Sequence, residues 1–206
     1  MSVRLVLASA SPARLASLRA VGLDPEVMVS GVDETAEGDG DARALCTRLA
    51  AAKAGAVAQR LSGEPALVVG CDSVLEFDGH VYGKPGRAEV AMRRWERMRG
   101  RSGTLHTGHC VLSTADQHQL TRLASTVVHF ADVSDAEIDA YVASGEPLHV
   151  AGGFTLDGLG GAFITAVEGD PHTVVGVSLP LLRDMFAEMG LAWLSVWPRP
   201  AADTAS

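Results

Sequence analysis

The sequence predicts an α/β fold built on a mixed sheet flanked by helices, and three observations carry that reading. Two short apolar runs, Val3 to Ala8 and Ala66 to Gly70, have the continuous hydrophobicity of strands buried on both faces. Two longer β-rich stretches, Thr104 to Ser113 and Gln119 to Phe130, are separated by a turn, as antiparallel neighbours are. Capped helical segments alternate with the strands along the chain.

Val3 to Ala8 is the first strand. Ser11 then supplies an N-cap and Pro12 the first helical position of a helix reaching about Ala20, which Gly22 stops. Glu26 to Ser30 reads as a second short strand, and the acidic, glycine-rich piece from Val32 to Gly40 as a loop. Ala42 to Leu61 is a long alanine-rich helix carrying Lys53, closed by Gly63 and Pro65. The run Ala66 to Gly70 is expected to end by delivering Cys71, Asp72 and Ser73. Val74 to Phe77 and His80 to Tyr82, joined by Asp78-Gly79, then form a hairpin.

Gly83-Lys84-Pro85-Gly86 is a loop before a helix from about Arg87 to Met98. Beyond the two long strands, Ser134 and Glu137 make a capping box for a helix running to Ser144, which Gly145 and Pro147 end. Gly152-Gly153 and Gly158 to Gly161 bracket a glycine-rich segment. Ala162 to Glu168 reads as a strand and Leu179 to Met189 as the last helix. Residues 1–197 are expected to form one domain, with a frayed tail from Pro198.

Composition narrows the function. At 206 residues with 47% hydrophobic and 20% charged, the chain can bury a core without staples. Twenty-five acidic residues against 17 basic ones leave a net charge of -8, which offers no broad cationic field and argues against nucleic-acid polymers as partners. Three scattered cysteines, Cys46, Cys71 and Cys110, match neither a disulfide framework nor a zinc knuckle. The apolar stretch Leu5 to Ala8 is too short for a signal sequence or a membrane span, so the expectation is a cytoplasmic protein with no membrane partner. Of the 17 basic residues only Lys53 and Lys84 are lysines, compact point charges in a chain that otherwise uses arginine.

Several residues could carry chemistry. Ser9, Ser11, Ala13 and Arg14 stand where the first strand runs into a helix N-terminus, a natural phosphate cradle to which Arg14 adds a bidentate fork; the plain alternative is a capped helix with an exposed arginine. Asp72 follows an apolar strand, where a carboxylate belongs only if paired or bound to a metal. With Glu34 it could hold a hard divalent ion through oxygen ligands, Mg²⁺ being the type that also coordinates substrate phosphates. Gly83 and Pro85 aim Lys84, while Lys53, on a long helix, would ordinarily be a surface charge. His106 and His109 lie three apart on a strand and so point to opposite faces, which gives no helical-type zinc pair. Cys71, without a partner histidine, reads as packing, as do Trp95, Trp193 and Trp197. Asp72-Ser73-Val74 lacks the second aspartate of an aspartyl-phosphate hydrolase.

Taken in order, Leu7 to Pro12 with Arg14, Val32-Asp33-Glu34, Ala52-Lys53-Ala54, Cys71-Asp72-Ser73, Gly83-Lys84-Pro85 and Ala151 to Phe154 resemble the Maf family of nucleotide pyrophosphatases. Gly169-Asp170, Val174-Val175-Gly176 and Leu179-Pro180 extend the resemblance to about Leu191. It implies two lobes around a central cleft, as in inosine triphosphate pyrophosphatases, often dimeric. It also implies a cytoplasmic hydrolase that cuts nucleoside triphosphates to a monophosphate and pyrophosphate with Mg²⁺ or Mn²⁺. Carried over residue by residue, Asp72 matches the proton acceptor, Glu34 and Asp72 the metal ligands, and Ser9, Arg14, Lys53 and Lys84 the residues that bind the substrate's phosphates.

Departures gather where base choice would lie. Ala13 stands where the family has a first arginine, Ser73 where it has threonine, and Val150 and Asp157 where many members carry lysine and glutamine. Ala13, Ser73 and Asp157 are accordingly the expected specificity positions, and the preferred base stays open among pyrimidine, methylated guanine and other modified forms. A housecleaning role on noncanonical nucleotides is the family expectation. The competing reading is a nucleotide-binding regulator of septum formation with little turnover.

Overall fold

A computed structural model describes residues 3–34, 37–38, 40–61 and 63–197. Within them lie eight strands, β1 (Leu5–Leu7), β2 (Glu26–Val27), β3 (Glu37–Gly38), β4 (Leu67–Phe77), β5 (His80–Tyr82), β6 (Ser102–Ser113), β7 (Gln119–Phe130) and β8 (Ile164–Glu168). The helices are α1 (Pro12–Ala20), α2 (Ala42–Arg60), α3 (Ala88–Met98), α4 (Asp135–Ala143), α5 (Pro171–Val175) and α6 (Leu179–Glu188). The expected tail from Pro198 and part of the expected loop from Val32 to Gly40 lie outside the described residues.

One mixed sheet runs β2-β1-β4-β6-β7-β8, with β5 and then β3 added beside the far end of β4. Strands β2, β1 and β4 are parallel; β4, β6, β7 and β8 are antiparallel. Helices cover both faces, as the alternation of apolar runs and capped segments predicts. The capping signals hold at Ser11, whose hydroxyl accepts from Arg14 N–H, and at Ser134 and Glu137, which form the reciprocal box.

Two expectations need correction, and one element is new. Gly70 does not end its strand: β4 spans 11 residues and runs on to Phe77, so Asp72 sits mid-strand, and the expected Asp78-Gly79 turn joins the end of the same strand to β5. The long antiparallel partner β6, paired from Leu67 to Glu76, holds β4 extended past the point where the apolar run stops. The acidic segment contains a two-residue strand, Glu37–Gly38, paired with β5. The stretch after Gly169 forms the short helix α5, capped by the Asp170 side chain through His172 N–H.

Side-chain alternation along β4 divides the molecule in two. Leu67, Val69 and Cys71 pack with Leu18, Leu182 and Phe186 from α1 and α6. Leu75 and Phe77, on the same face, pack with Trp95, Tyr141 and Phe130. Between these clusters the face carries polar Ser73, and Thr107 stands opposite it on β6. The two apolar cores on one continuous sheet, separated by this polar step, correspond to the two expected lobes.

The opposite face takes α2 at backbone contact. A Cβ placed on Gly70 would lie 2.9 Å from Ala54 N, and one on Gly108 would lie 2.7 Å from Thr47 N. Glycine at both positions, with Ala50 and Ala54 on the helix, lets α2 lie directly on β4 and β6.

Candidate active site

The site forms where β4 has an open edge. Strand β1 pairs with β4 only through Val69, with one further bond from Ala8 N–H to Val69 O, and β5 pairs from Leu75 onward. Between them, Asp72 and Ser73 leave opposite faces of β4 beside the carboxyl end of β1, a location that open α/β sheets use for ligands. The cleft here measures about 380 Å³ and is lined by Ser9 to Arg14, Glu34, Asp72, Ser73, Lys84, residues 149–151, Phe154, Thr155, Asp157 and residues 174–176.

On the α2 side, Lys53 does not reach the surface as an ordinary helix lysine would. Close packing at Gly70 and Gly108 brings its ammonium under β4, where it is 1% exposed. Nζ lies 2.6 Å from Asp72 Oδ1 and 2.6 Å from Glu34 Oε1, and it also donates to Cys71 O at 3.5 Å. Glu34 offers its second oxygen to Lys84 Nζ at 2.6 Å. The result is a line of alternating charge, Asp72, Lys53, Glu34, Lys84, running from the buried floor to the exposed rim.

The two carboxylates differ in character. Burial raises the Asp72 pKa above its ordinary value, against the pull of Lys53 and Arg14. For Glu34, partial burial is outweighed by its two lysine partners, and its pKa falls to about 2. Asp72 is thus the readier proton acceptor and Glu34 the firmer anion.

On the other face, Arg14 is buried and held at all three guanidinium nitrogens. Nε donates to Gly176 O at 2.7 Å, one terminal nitrogen to Ser9 Oγ at 3.0 Å and the other to Ser73 Oγ at 3.0 Å. Ser73 Oγ also lies 2.8 Å from Thr107 Oγ1, which donates to Thr173 O at 2.9 Å. Proton order is therefore determined: Thr107 gives to Thr173 O, Ser73 gives to Thr107, and Arg14 gives to Ser73. The Ser73 hydroxyl is committed to orienting Arg14.

The structure thus gathers Ser9, Ala13, Arg14, Glu34, Asp72, Ser73, Lys84 and Asp157 around one cleft, with Lys53 directly beneath it. His106 is taken up by Ser125 and Glu76, and His109 by Thr107 O and Ser178 N–H, on opposite faces of β6. Cys71 is fully buried in the apolar cluster, and burial pushes its pKa up to about 11. Trp95 is core, whereas Trp197 is 46% exposed.

Sequence reasoning missed Thr107, Thr173 and Arg94. Buried Arg94 donates to Gly83 O at 2.7 Å and so fixes the loop that carries Lys84. A signal for Thr107 existed: Leu105, Thr107, His109 and Val111 share one strand face, and two polar residues interrupt its hydrophobic alternation.

A family model described as "Maf-like protein" matches residues 4–189. A Salinispora tropica protein named nucleoside triphosphate pyrophosphatase is 56% identical over 202 residues, covering 97% of this chain and 89% of its own length. A Streptomyces coelicolor protein of the same name is 56% identical, with 97% of each chain covered. Among solved structures, the Staphylococcus aureus Ham1 protein aligns with a TM-score of 0.42 and 16% identity, covering 63% of this chain and 72% of that one.

Proposed function

The chain belongs to the Maf-like proteins, and from that premise we propose that it is a nucleoside triphosphate pyrophosphatase, releasing pyrophosphate and the nucleoside monophosphate. The observation that carries this reading is a buried carboxylate, Asp72, at the floor of a cleft lined by Arg14 and Lys84, with Lys53 directly beneath it. A structural ion pair would need one cation. Three cations beside an open cleft suit a polyanionic substrate.

Asp72 accepts a proton from a water as its oxygen bonds to the α-phosphorus; the bond from that phosphorus to the oxygen bridging it to the β-phosphorus breaks, and pyrophosphate leaves. Arg14, fixed at three points, presents its remaining donors to phosphate oxygens without reorganising. Lys84 at the rim exchanges Glu34 for the departing pyrophosphate. Lys53 keeps Asp72 oriented and is placed to offset charge from below.

Glu34 and Asp72 would hold a divalent cation. Their donor set fits: two carboxylate oxygens converge on one Lys53 nitrogen, and among the described residues no larger acidic or histidine cluster exists. One or two carboxylates plus substrate phosphates is the usual protein share for Mg²⁺. When bound, such an ion supplies Lewis-acid polarisation of the phosphates. Charge supports the need, since three cations against two carboxylates leave the site only slightly positive, while a triphosphate carries about four negative charges.

A cytoplasmic housecleaning role on noncanonical nucleotides, and a dimeric assembly, extend the same proposal. No helix among the described residues is long and apolar enough to cross a membrane. The deciding experiment measures pyrophosphate and monophosphate release from canonical, methylated and deaminated nucleoside triphosphates with Mg²⁺ or Mn²⁺. Asp72→Asn should lose about 10²- to 10⁴-fold in kcat. Nucleotide binding without turnover by the wild type would replace the enzyme by a regulator.

A further inference from the structure

Glu146 lies outside the phosphate machinery, yet its carboxylate gathers four donors. Oε1 accepts from Tyr141 Oη at 3.0 Å, Thr155 Oγ1 at 2.5 Å and Gly160 N–H at 3.0 Å, and Oε2 accepts from Leu159 N–H at 3.0 Å. The surrounding glycines are shaped to it. A Cβ on Gly158 would lie 2.5 Å from Glu146 Oε2, and one on Gly160 would strike the Tyr141 hydroxyl. Although partial burial opposes its charge, these donors hold the Glu146 pKa below the ordinary carboxylate range.

What the carboxylate joins gives it meaning. Glu146 opens the 3₁₀ turn Glu146–His149, which leads into Val150 and Ala151; its donors hold the chain from Thr155 to Gly160, which carries Asp157. His149, Val150, Thr155 and Asp157 line the same cleft as Arg14 and Lys84. The segment from His149 to Asp157 brings one carboxylate and no lysine or arginine to the cleft, so this part of the lining does not attract phosphate. A nucleotide whose phosphates lie among the cations therefore turns its base toward it.

We propose that Glu146 is a positioning residue for base discrimination, holding the base-side wall in one arrangement through this four-donor knot. The inference rests on the nucleotide reading above but not on turnover. Losing the carboxylate frees Thr155 and Asp157 to adopt several arrangements. A wall without a fixed pattern of donors and acceptors loses selectivity between bases while phosphate binding is unaffected.

The test is titration calorimetry with α,β-methylene nucleoside triphosphates of all four bases, and with inorganic tripolyphosphate, on wild type, Glu146→Ala and Glu146→Gln. Wild type is expected to rank the bases. In Glu146→Ala the best analogue weakens about 10-fold and the bases converge to within about threefold, while tripolyphosphate affinity stays within about twofold. Glu146→Gln falls between, because its amide keeps one oxygen for three donors but turns an N–H toward Leu159 N–H. Should Glu146→Ala not fold, Glu146→Gln alone decides by the same ratio. An unchanged base ranking, a wild type that ranks no base, or a parallel loss of tripolyphosphate binding overturns the inference. Ranked binding without hydrolysis would overturn the proposed activity and leave this inference standing.

Discussion

Lys53 and Asp72 meet from two elements, α2 and β4, with Nζ 2.6 Å from Oδ1 and exposures of 1% and 4%. An ammonium and a carboxylate both withdrawn from water are stable only as a pair, and removing one partner leaves the other uncompensated. The same contact keeps a proton acceptor oriented at the cleft floor.

Lys53→Met should therefore destabilise the fold by about 3–5 kcal/mol, because Asp72 remains buried without its closest cation. Lys53→Met/Asp72→Asn should recover most of that loss, since no charge is then stranded. Urea denaturation of the two single variants and the double variant measures the coupling. Additive losses would show that the pair contributes little.

The depth of Lys53 depends on glycine. Gly108→Ala would place a methyl 2.7 Å from Thr47 N on α2, against backbone that cannot swing aside. The expected cost is about 3 kcal/mol or more, at the upper end of overpacking penalties. Nucleotide turnover should fall with it as Lys53 and Asp72 part. A thermal melt close to wild type would contradict the backbone contact on which this geometry rests.

Much of this arrangement could be read from the sequence, and the failures have physical causes. Local signals located α1 through Ser11-Pro12 and α4 through Ser134 and Glu137, since caps act within one turn. The end of β4 is not legible locally, because nothing in Cys71-Asp72-Ser73 reports the antiparallel partner, 36 residues from Asp72, that keeps it extended. Lys53 read as a surface charge because an alanine-rich helix shows no amphipathic stripe, and its burial follows from glycines on other elements. Candidate residues were legible by type; the Thr107 to Ser73 to Arg14 chain was not, because it links residues 59 and 34 positions apart.

That chain makes its own prediction. Arg14→Lys keeps the charge but cannot reach Ser9, Ser73 and Gly176 together, and kcat/KM should drop about 10- to 100-fold. Thr107→Val removes the acceptor for Ser73 and the donor to Thr173 O but leaves every bond of Arg14 in place, and should cost less, about 3- to 10-fold, with Thr107→Ser near wild type. Steady-state kinetics on the preferred nucleotide checks the order, and Thr107→Val equal to wild type would detach Thr107 from the site.

His109 is expected to make stability depend on pH. Burial, with Arg14 nearby, lowers its pKa from 6.5 to about 4, so the folded imidazole is neutral, donating from Nδ1 to Thr107 O and accepting Ser178 N–H at Nε2. A depressed folded pKa means the contribution is fully present above the unfolded value of 6.5. It is lost as pH falls toward 4, where the unfolded chain takes up the proton first. The loss amounts to about 3 kcal/mol on the order-of-magnitude scale of one pKa unit. His109→Gln can accept from Ser178 N–H without titrating, and denaturant midpoints between pH 7 and pH 4 should flatten in that variant.

Metal dependence closes the argument from charge. With Lys53 shared between Glu34 and Asp72, and Lys84 held by Glu34, the cations are largely neutralised within the site. A triphosphate entering without a counter-ion meets two carboxylates that its charge repels. Chelation should therefore abolish turnover, and Mg²⁺ or Mn²⁺ should restore it. Glu34→Gln removes one oxygen anion and should raise the metal concentration for half-maximal rate by about 10-fold or more, with a smaller change in rate at saturating metal. Full activity in chelator would remove the metal from the mechanism and leave Arg14, Lys53 and Lys84 as the whole of the phosphate-neutralising set.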